Sequence, residues 1–389
     1  MSTKVLMTGP RAPFQLEYAS YHGAPNLTAT LKCITSMRYF ILATLLGLLL
    51  FTSCTQDPFG NKPQSIGDLR RLTMITDTTA WKGELGEALR DLYGAPYPVL
   101  PQYEPTFDVR YFSPAQFMGN ANRRHLRQLL FVADLSDRNS KTAAIVRRDI
   151  GKEAVEEARE LQEGGIKVRP DFWARNQVVI YIYGWGQEDL LQKVAQSYAK
   201  VSEEFFKTDE AQLRSQAYMA GSNNYLNDLI QTELGMRMNV PGDYKLILEE
   251  PNLVWIRREI PAVVNSNLLI RRIPYTDQAQ LTPEYLLDLR DSLGMAYVTS
   301  DKEQSGMLVD RKNIPVQTRT GMLGNSYTLQ ARGLWFMKND FMGGPFVSYL
   351  IHDKADNSLV LIDGFVFAPG QDKRPFMQVL ENIIQSARV

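Results

Sequence analysis

Reactive side chains are scarce in this sequence. It has two cysteines and three histidines in 389 residues. Histidine is the commonest general base and metal ligand, and beyond the N-terminal stretch only His125 and His352 remain. There is no His-Glu-x-x-His, no paired Cys-x-x-Cys and no Asp-rich calcium loop, so no dedicated metal site is expected. Neither a Gly-x-Ser-x-Gly elbow nor a phosphate-binding Gly-x-x-x-x-Gly-Lys-Ser/Thr loop occurs, which removes the simplest hydrolase and nucleotide readings and leaves no cofactor expected. Lys+Arg and Asp+Glu both number 43, so no bulk charge points to nucleic acid or an anionic surface. The apolar run Tyr39–Phe51 falls short of the ~20 residues a membrane-spanning helix needs.

That run fits the ~7–15-residue core of a signal peptide better. Arg38 precedes it, and Thr52-Ser53-Cys54 closes it in the manner of a bacterial lipoprotein junction, with Cys54 as the acylated residue. Phe51 departs from the leucine usual at that position, and a plain buried apolar segment is the blander alternative. Residues 1–36 carry Gly9-Pro10, Pro13, Gly23 and Pro25 without a periodic apolar face, a composition of unfolded chain. Translation is therefore expected to start at Met37, with 1–36 a non-native extension, 37–53 a signal peptide and 54–70 a polar tether. Cys33 would be lost and Cys54 lipidated, so no disulfide is expected and stability must come from core burial. Thr55 after the cysteine is not the aspartate of inner-membrane retention, and no acidic export run follows. The expected address is the periplasmic face of the outer membrane, with the membrane itself as partner through Cys54.

Past the tether the chain reads as α+β, built from two tandem α-β-β-α-β-α-like repeats with mixed or antiparallel sheets. The first spans 71–206 and the second 222–389, joined by a linker helix at 207–221. Asn176–Gly184 and Asn357–Phe365 are each an Asn-led apolar strand followed, after Gly-Gln, by an amphipathic helix. The first helix shows Leu190, Leu191, Val194, Tyr198 and Val201, and the second Phe376, Val379, Leu380, Ile383 and Ile384, both at the spacing that buries one stripe. Upstream helices end at Gly94 and Gly235, where left-handed C′ geometry favours glycine. Strand pairs 107–112 with 128–134 and 253–260 with 267–273 follow, then helices 143–162 and 283–293. The second half alone adds alternating runs at 316–320, 327–335 and 346–352, an inserted antiparallel meander ending with 359–367.

The candidates for chemistry are few. Asp363 sits inside the apolar strand 359–367, where an unpaired carboxylate is costly. Pairing with Arg332, or exposure at a bulge by Gly364, would resolve it structurally, and a functional acid is the sharper alternative. Arg257-Arg258 and Arg271-Arg272 lie on neighbouring strands, and Arg257 with Arg271 could form a basic patch for lipid phosphate, glycan carboxylate or protein. A solvated sheet face is the alternative. Trp335 lies with Phe336, Phe341, Met342 and Phe346 around Gly343-Gly344-Pro345, as a recognition loop or as core beneath a loop. His352 lies before Asp353 near a strand end, where a surface histidine is the ordinary reading.

From Cys54 to Val389 the chain resembles a family of Bacteroidota envelope lipoproteins carrying a domain of unknown function. The resemblance rests on the lipobox-like junction, Gly333-Leu334-Trp335, Gly343-Gly344-Pro345-Phe346, Asp363-Gly364-Phe365-Val366-Phe367-Ala368-Pro369 and Lys373-Arg374. It implies location and a two-part globular body, and no catalytic residue. The expected function is a non-catalytic binding or envelope-assembly module with an envelope protein or glycan partner. The alternative is a periplasmic enzyme acting on cell-wall or glycan material, with Asp363, His352 or the arginines in a cleft between the repeats. A lipid- or peptide-carrying module, which would need a continuous apolar cavity, is the third.

Overall fold

Two unbroken apolar runs set the first half. In the computed structural model, which describes residues 62–389, they are β3 (Gln128–Asp134) and β5 (Val178–Gly184), paired in parallel and buried almost throughout. Strands buried on both faces need no polar alternation. They form a five-stranded sheet with β1 (Arg71–Ile75), β2 (Asp108–Phe112) and β4 (Gly165–Pro170), in the order β2-β1-β3-β5-β4. Only β4 runs antiparallel. On one face Leu130 and Val132 of β3 pack under α2 (Glu84–Tyr93) and α6 (Gln187–Ala217). On the other, Leu129 and Phe131 pack under α4 (Lys141–Ile150) and α5 (Lys152–Leu161). Short helices α1 (Thr78–Lys82) and α3 (Pro114–Met118) complete this domain.

The second half is an eight-stranded antiparallel sheet, ordered β10-β11-β12-β13-β8-β7-β6 with β9 paired to β11 off that path. Its strands are β6 (Lys245–Glu250), β7 (Leu253–Ile260), β8 (Val264–Pro274), β9 (Gly306–Val309), β10 (Gln317–Leu323), β11 (Ser326–Lys338), β12 (Gly343–Asp353) and β13 (Ser358–Phe367). Alternation along them sends Val254, Ile270, Val347 and Ile362 toward α7 (Asn224–Leu234) and α9 (Arg374–Gln385). Leu253, Leu269, Phe346 and Leu361 face α8 (Pro283–Tyr297) instead. Thr282 caps α8 by accepting from Tyr285 N, and Pro283 takes the first helical turn, as the sequence suggests.

The two-part α+β architecture and the inserted meander are present. Both halves keep the order helix, two strands, helix, strand, helix, as α2-β2-β3-α4-β5-α6 and α7-β7-β8-α8-β13-α9 with further elements interspersed, but the strand pairing differs, because one sheet is mostly parallel and the other antiparallel. The expected helix 143–162 is two helices, split at Gly151, whose φ of 96° a helix cannot carry. Gly235 is left-handed as expected, but Gly94 has φ −84° and is instead required because a Cβ would lie 2.6 Å from Arg90 O. Residues 207–217 form no separate linker, since α6 continues through them and packs against α9. The last part of the expected tether is bound down: Ser65 N donates to Arg175 O at 2.9 Å and Ile66 N to His125 O at 2.8 Å. The extension 1–36, the signal segment 37–53, Cys54 and the tether up to Asn61 lie outside the described residues.

Candidate functional site: the cleft between the two domains

The loop after α2 leaves the first domain and docks on the second. Leu100 enters the core beneath α9. Glu104, 5 % exposed, accepts from Lys373 N at 2.7 Å and Arg374 N at 2.8 Å. A carboxylate on the free N–H groups of a helix start is favourable both as a cap and against the helix dipole. Tyr97 of the same loop donates to Glu381 Oε1 of α9 at 2.9 Å. Across from it Arg332 Nη1 of β11 lies 2.7 Å from the same oxygen, and its guanidinium covers the Tyr97 ring at 5.6 Å.

These residues line a cleft of about 1100 Å³ walled by α6 on one side and by α9 and the meander on the other. Six cationic side chains line it, Arg70, Lys207, Arg214, Arg319, Arg332 and Arg388, against three acidic ones, Glu203, Glu210 and Glu381. Arg70 has φ 61°, an uncommon conformation for a residue with a Cβ. Asp209 of α6 holds it there by accepting from Arg70 N at 2.8 Å, and the Arg70 guanidinium stacks 4.1 Å over Phe206. Held strain of this kind clusters at binding and catalytic sites.

Burial sets the electrostatics. It pulls the Arg70 guanidinium down, with Asp209 opposing, and pushes the Asp209 carboxyl up, with Arg70 and Arg127 opposing. Burial and the neighbouring Glu381 raise the Tyr97 phenol far above its usual range, so it stays a donor. Burial also disfavours charge on Arg332, but Glu381 and Tyr97 outweigh it and raise its pKa. Arg332, Glu381 and Tyr97 thus form one charge-stabilised cluster at the cleft floor.

Of the residues singled out from sequence, only Arg332 is in this cleft. Asp363 pairs with Arg290 of α8 rather than with Arg332: Arg290 Nε donates to it at 2.9 Å, Ser348 Oγ also donates, and both members of the ion pair are buried. Arg332 and Asp363 sit on opposite faces of the sheet, which the alternation of β11 and β13 enforces. Arg257 donates to Asn267 and lies over Trp255, while Arg271 donates to Pro251 O. The two share a face, but Arg257 is opposite Asn267 and Arg271 opposite Leu253, about 13 Å further along the ladder, so they form no patch. Trp335 is core, 3 % exposed, with its Nε1 donating to Val366 O. His352 packs its ring 4.4 Å from Tyr275. Tyr97, Glu381, Arg70 and Gln378 were not legible as site residues. Glu381 and Gln378 read as the solvated face of an amphipathic helix, and Tyr97 sits in a proline-rich loop without periodicity.

A second hollow of about 300 Å³ lies at the carboxyl edge of the parallel sheet, between the ends of β1 and β3, where open α/β sheets bind ligands. Its polar groups are spent on each other. Asp134 Oδ1 accepts from Gly186 N and Ser136 N, both at 2.8 Å, and Ser140 Oγ donates to Asp77.

Residues 223–386 match the family model described as a domain of unknown function (DUF4837), and residues 65–218 match another, also described as a domain of unknown function (DUF8532). Two domains of unknown function make up the body. The cleft falls between them. No curated protein matches the chain. Among solved structures, the Ran-binding protein Mog1p of Saccharomyces cerevisiae is 12% identical over 40% of this chain and 89% of its own, with a TM-score of 0.27. LpqN of Mycobacterium tuberculosis, described as involved in cell envelope biogenesis, is 13% identical over 39% and 81%, with a TM-score of 0.26. A Bacteroides thetaiotaomicron structure is 12% identical over 40% and 44%, with a TM-score of 0.23. Similarity at this level says nothing about the function of this chain.

Proposed function

We propose that the chain is an outer-membrane lipoprotein of the Bacteroidota type, anchored through Cys54 on the periplasmic face, whose body is a non-catalytic binding or envelope-assembly module. The binding site in this reading is the cleft between the two domains. The observation that carries it is the composition of that cleft: charged groups from both domains line it, and at its floor the Arg332–Glu381 ion pair of the second domain accepts a hydrogen bond from Tyr97 of the first. Arginine forks and a tyrosine ring suit recognition of a polar partner. The alternative, an enzyme acting on cell-wall or glycan material, would use Asp363, His352 or the arginines; Asp363 and His352 are packed away from the cleft, and Arg332 lies in it paired with Glu381.

The test is affinity purification from crosslinked envelopes with the full chain as bait, comparing wild type with Arg332→Glu. The reading expects one envelope component recovered by the wild type and lost with the variant. Identical recovery by both, or turnover of a glycan panel by the purified protein, would sink it.

A further inference from the structure

Of the four strands that end the two sheets among the described residues, three are blunted. An edge strand offers unpaired N–H and C=O groups to any other strand, and folded proteins guard against this with shortness, charge, proline or a bulge. β2 has only five residues, and β4 carries Lys167, Arg169 and Pro170. β6 is bulged between Leu246 and Leu248 and carries Lys245, Glu249 and Glu250. β10 is left open. Its seven residues pair with β11 without a break, include neither lysine nor proline, and are exposed except for Leu323. Gly324 and Asn325 join it to β11 as a two-residue turn, with Leu323 opposite Ser326. Such a turn closes on a hydrogen-bonded pair, so alternate residues back along the strand, Met322, Thr320 and Thr318, direct N–H and C=O to the open side. No turn or loop backbone of the described residues reaches them.

The open edge also carries uncompensated charge. Each acidic residue of the cleft has its own cation: Glu203 with Lys207 at 2.9 Å, Glu210 with Arg214 at 3.0 Å and Glu381 with Arg332 at 2.7 Å. Arg319 of β10 and Arg388 line the same cleft and are exposed. Arg319 Nε donates to Gln330 at 2.6 Å, and Arg388 Nη1 to the carbonyls of Gln385 and Ala387. Arg388 lies against the β10–β11 turn, its Cδ 3.1 Å from where a Cβ on Gly324 would sit. Resting on the proposal that this cleft is the binding site, we infer that β10 receives an extended acidic segment of a partner protein as an added strand, whose carboxylates meet Arg319 and Arg388. Main-chain bonds to the edge supply affinity in such an arrangement, and the sign of charge along it selects the partner. A second copy of this chain would bring its own Arg319 to the seam, like charge against like.

The experiment uses the full chain with Cys54→Ala, which stays in water. Its probes are dye-labelled peptides of about ten residues in which threonine alternates with glutamate, glutamine or lysine, read by fluorescence anisotropy. The inference expects saturable binding of the glutamate peptide, binding about tenfold or more weaker for glutamine, and none for lysine. Of two glutamate peptides methylated on alternate backbone nitrogens, one should lose binding, because one edge of the added strand faces β10. Thr320→Pro removes an outward N–H while sparing the pairing with β11, and should weaken binding about tenfold or more. Arg319→Glu should abolish binding of the glutamate peptide and admit the lysine peptide. Should Thr320→Pro not fold, the methylated peptides test the backbone grip alone. Equal binding of glutamate and lysine peptides, binding by both methylated forms, no binding of the glutamate peptide, or binding unchanged in the variants would each overturn the inference. So would a concentration-dependent dimer in sedimentation velocity that Thr320→Pro abolishes, which would give the edge to a second copy. Envelope capture sensitive to Arg332→Glu would in those cases still stand, so the cleft reading and the added strand can fail separately.

Discussion

Arg290 Nε of α8 donates to Asp363 Oδ1 of β13 at 2.9 Å, with both side chains shut off from water and the guanidinium 3.8 Å over the Phe346 ring. Losing one member strands the other charge in the core, at a cost of about 3–5 kcal/mol, whereas an apolar pair of similar volume is often neutral. Arg290→Met alone should therefore lower stability by that amount, and adding Asp363→Leu should recover most of it. Urea denaturation of the single and double variants measures the coupling. Additive losses would show that the pair does not act as a unit.

Glu104 ties the domains together through backbone rather than side-chain donors. Glu104→Ala leaves the N–H groups of Lys373 and Arg374 without their acceptor, and cap losses of this kind cost about 1–2 kcal/mol. The loss should be local first. Hydrogen exchange is expected to rise in the first turn of α9 before the sheet loses protection, and uniform exchange throughout the chain would contradict it.

Alkaline behaviour follows from buried phenols. Burial raises the pKa of Tyr93, Tyr181 and Tyr244 far above the ordinary value of about 10, with Asp149 adding to the shift at Tyr181. A folded-state pKa above the unfolded one means the folded protein holds the proton longer. The associated stability is complete below pH about 10 and is lost as pH climbs from there toward the raised folded values. The buried phenols should ionise only together with the loss of the circular dichroism signal, which a pH titration followed by ultraviolet absorbance checks. Tyr244 Oη has no hydrogen-bond partner, so Tyr244→Phe should stabilise by about 1 kcal/mol and blunt the alkaline loss. A destabilised variant would mean the hydroxyl is satisfied after all.

Anchoring is checked on its own. Acyl chains contribute about 0.8 kcal/mol per buried CH₂, and two or more hold a protein on a bilayer. Metabolic labelling with an alkyne fatty acid should mark the wild type and not Cys54→Ala, and the variant should leave the membrane fraction. Equal labelling of both would remove the anchor.

The strands were legible where burial imposed a pattern. Gln128–Asp134 and Leu253–Ile260 match the sequence reading to the residue, and the meander followed from alternation in β10 to β13. Pairing direction was not legible, since an apolar run fits a parallel or an antiparallel neighbour equally. The edge strands β4, β6 and β9 escaped because they are short or half-exposed. Asp363 was rightly flagged as needing a partner, but Arg290 lies on a helix 73 residues away in sequence, and nothing local pairs them. The cleft was the least legible feature. Its residues come from a loop, a strand and the polar side of a helix, and only tertiary folding brings them together.

The strap that carries Leu100 and Glu104 has a practical consequence for anyone dissecting this polypeptide. Cutting it between the two matched segments, near residue 221, would give a C-terminal piece with a hole where Leu100 belongs and an uncapped closing helix. The two halves are separate as folds but joint as a material, and expressing either alone should yield a weakened, sticky fragment.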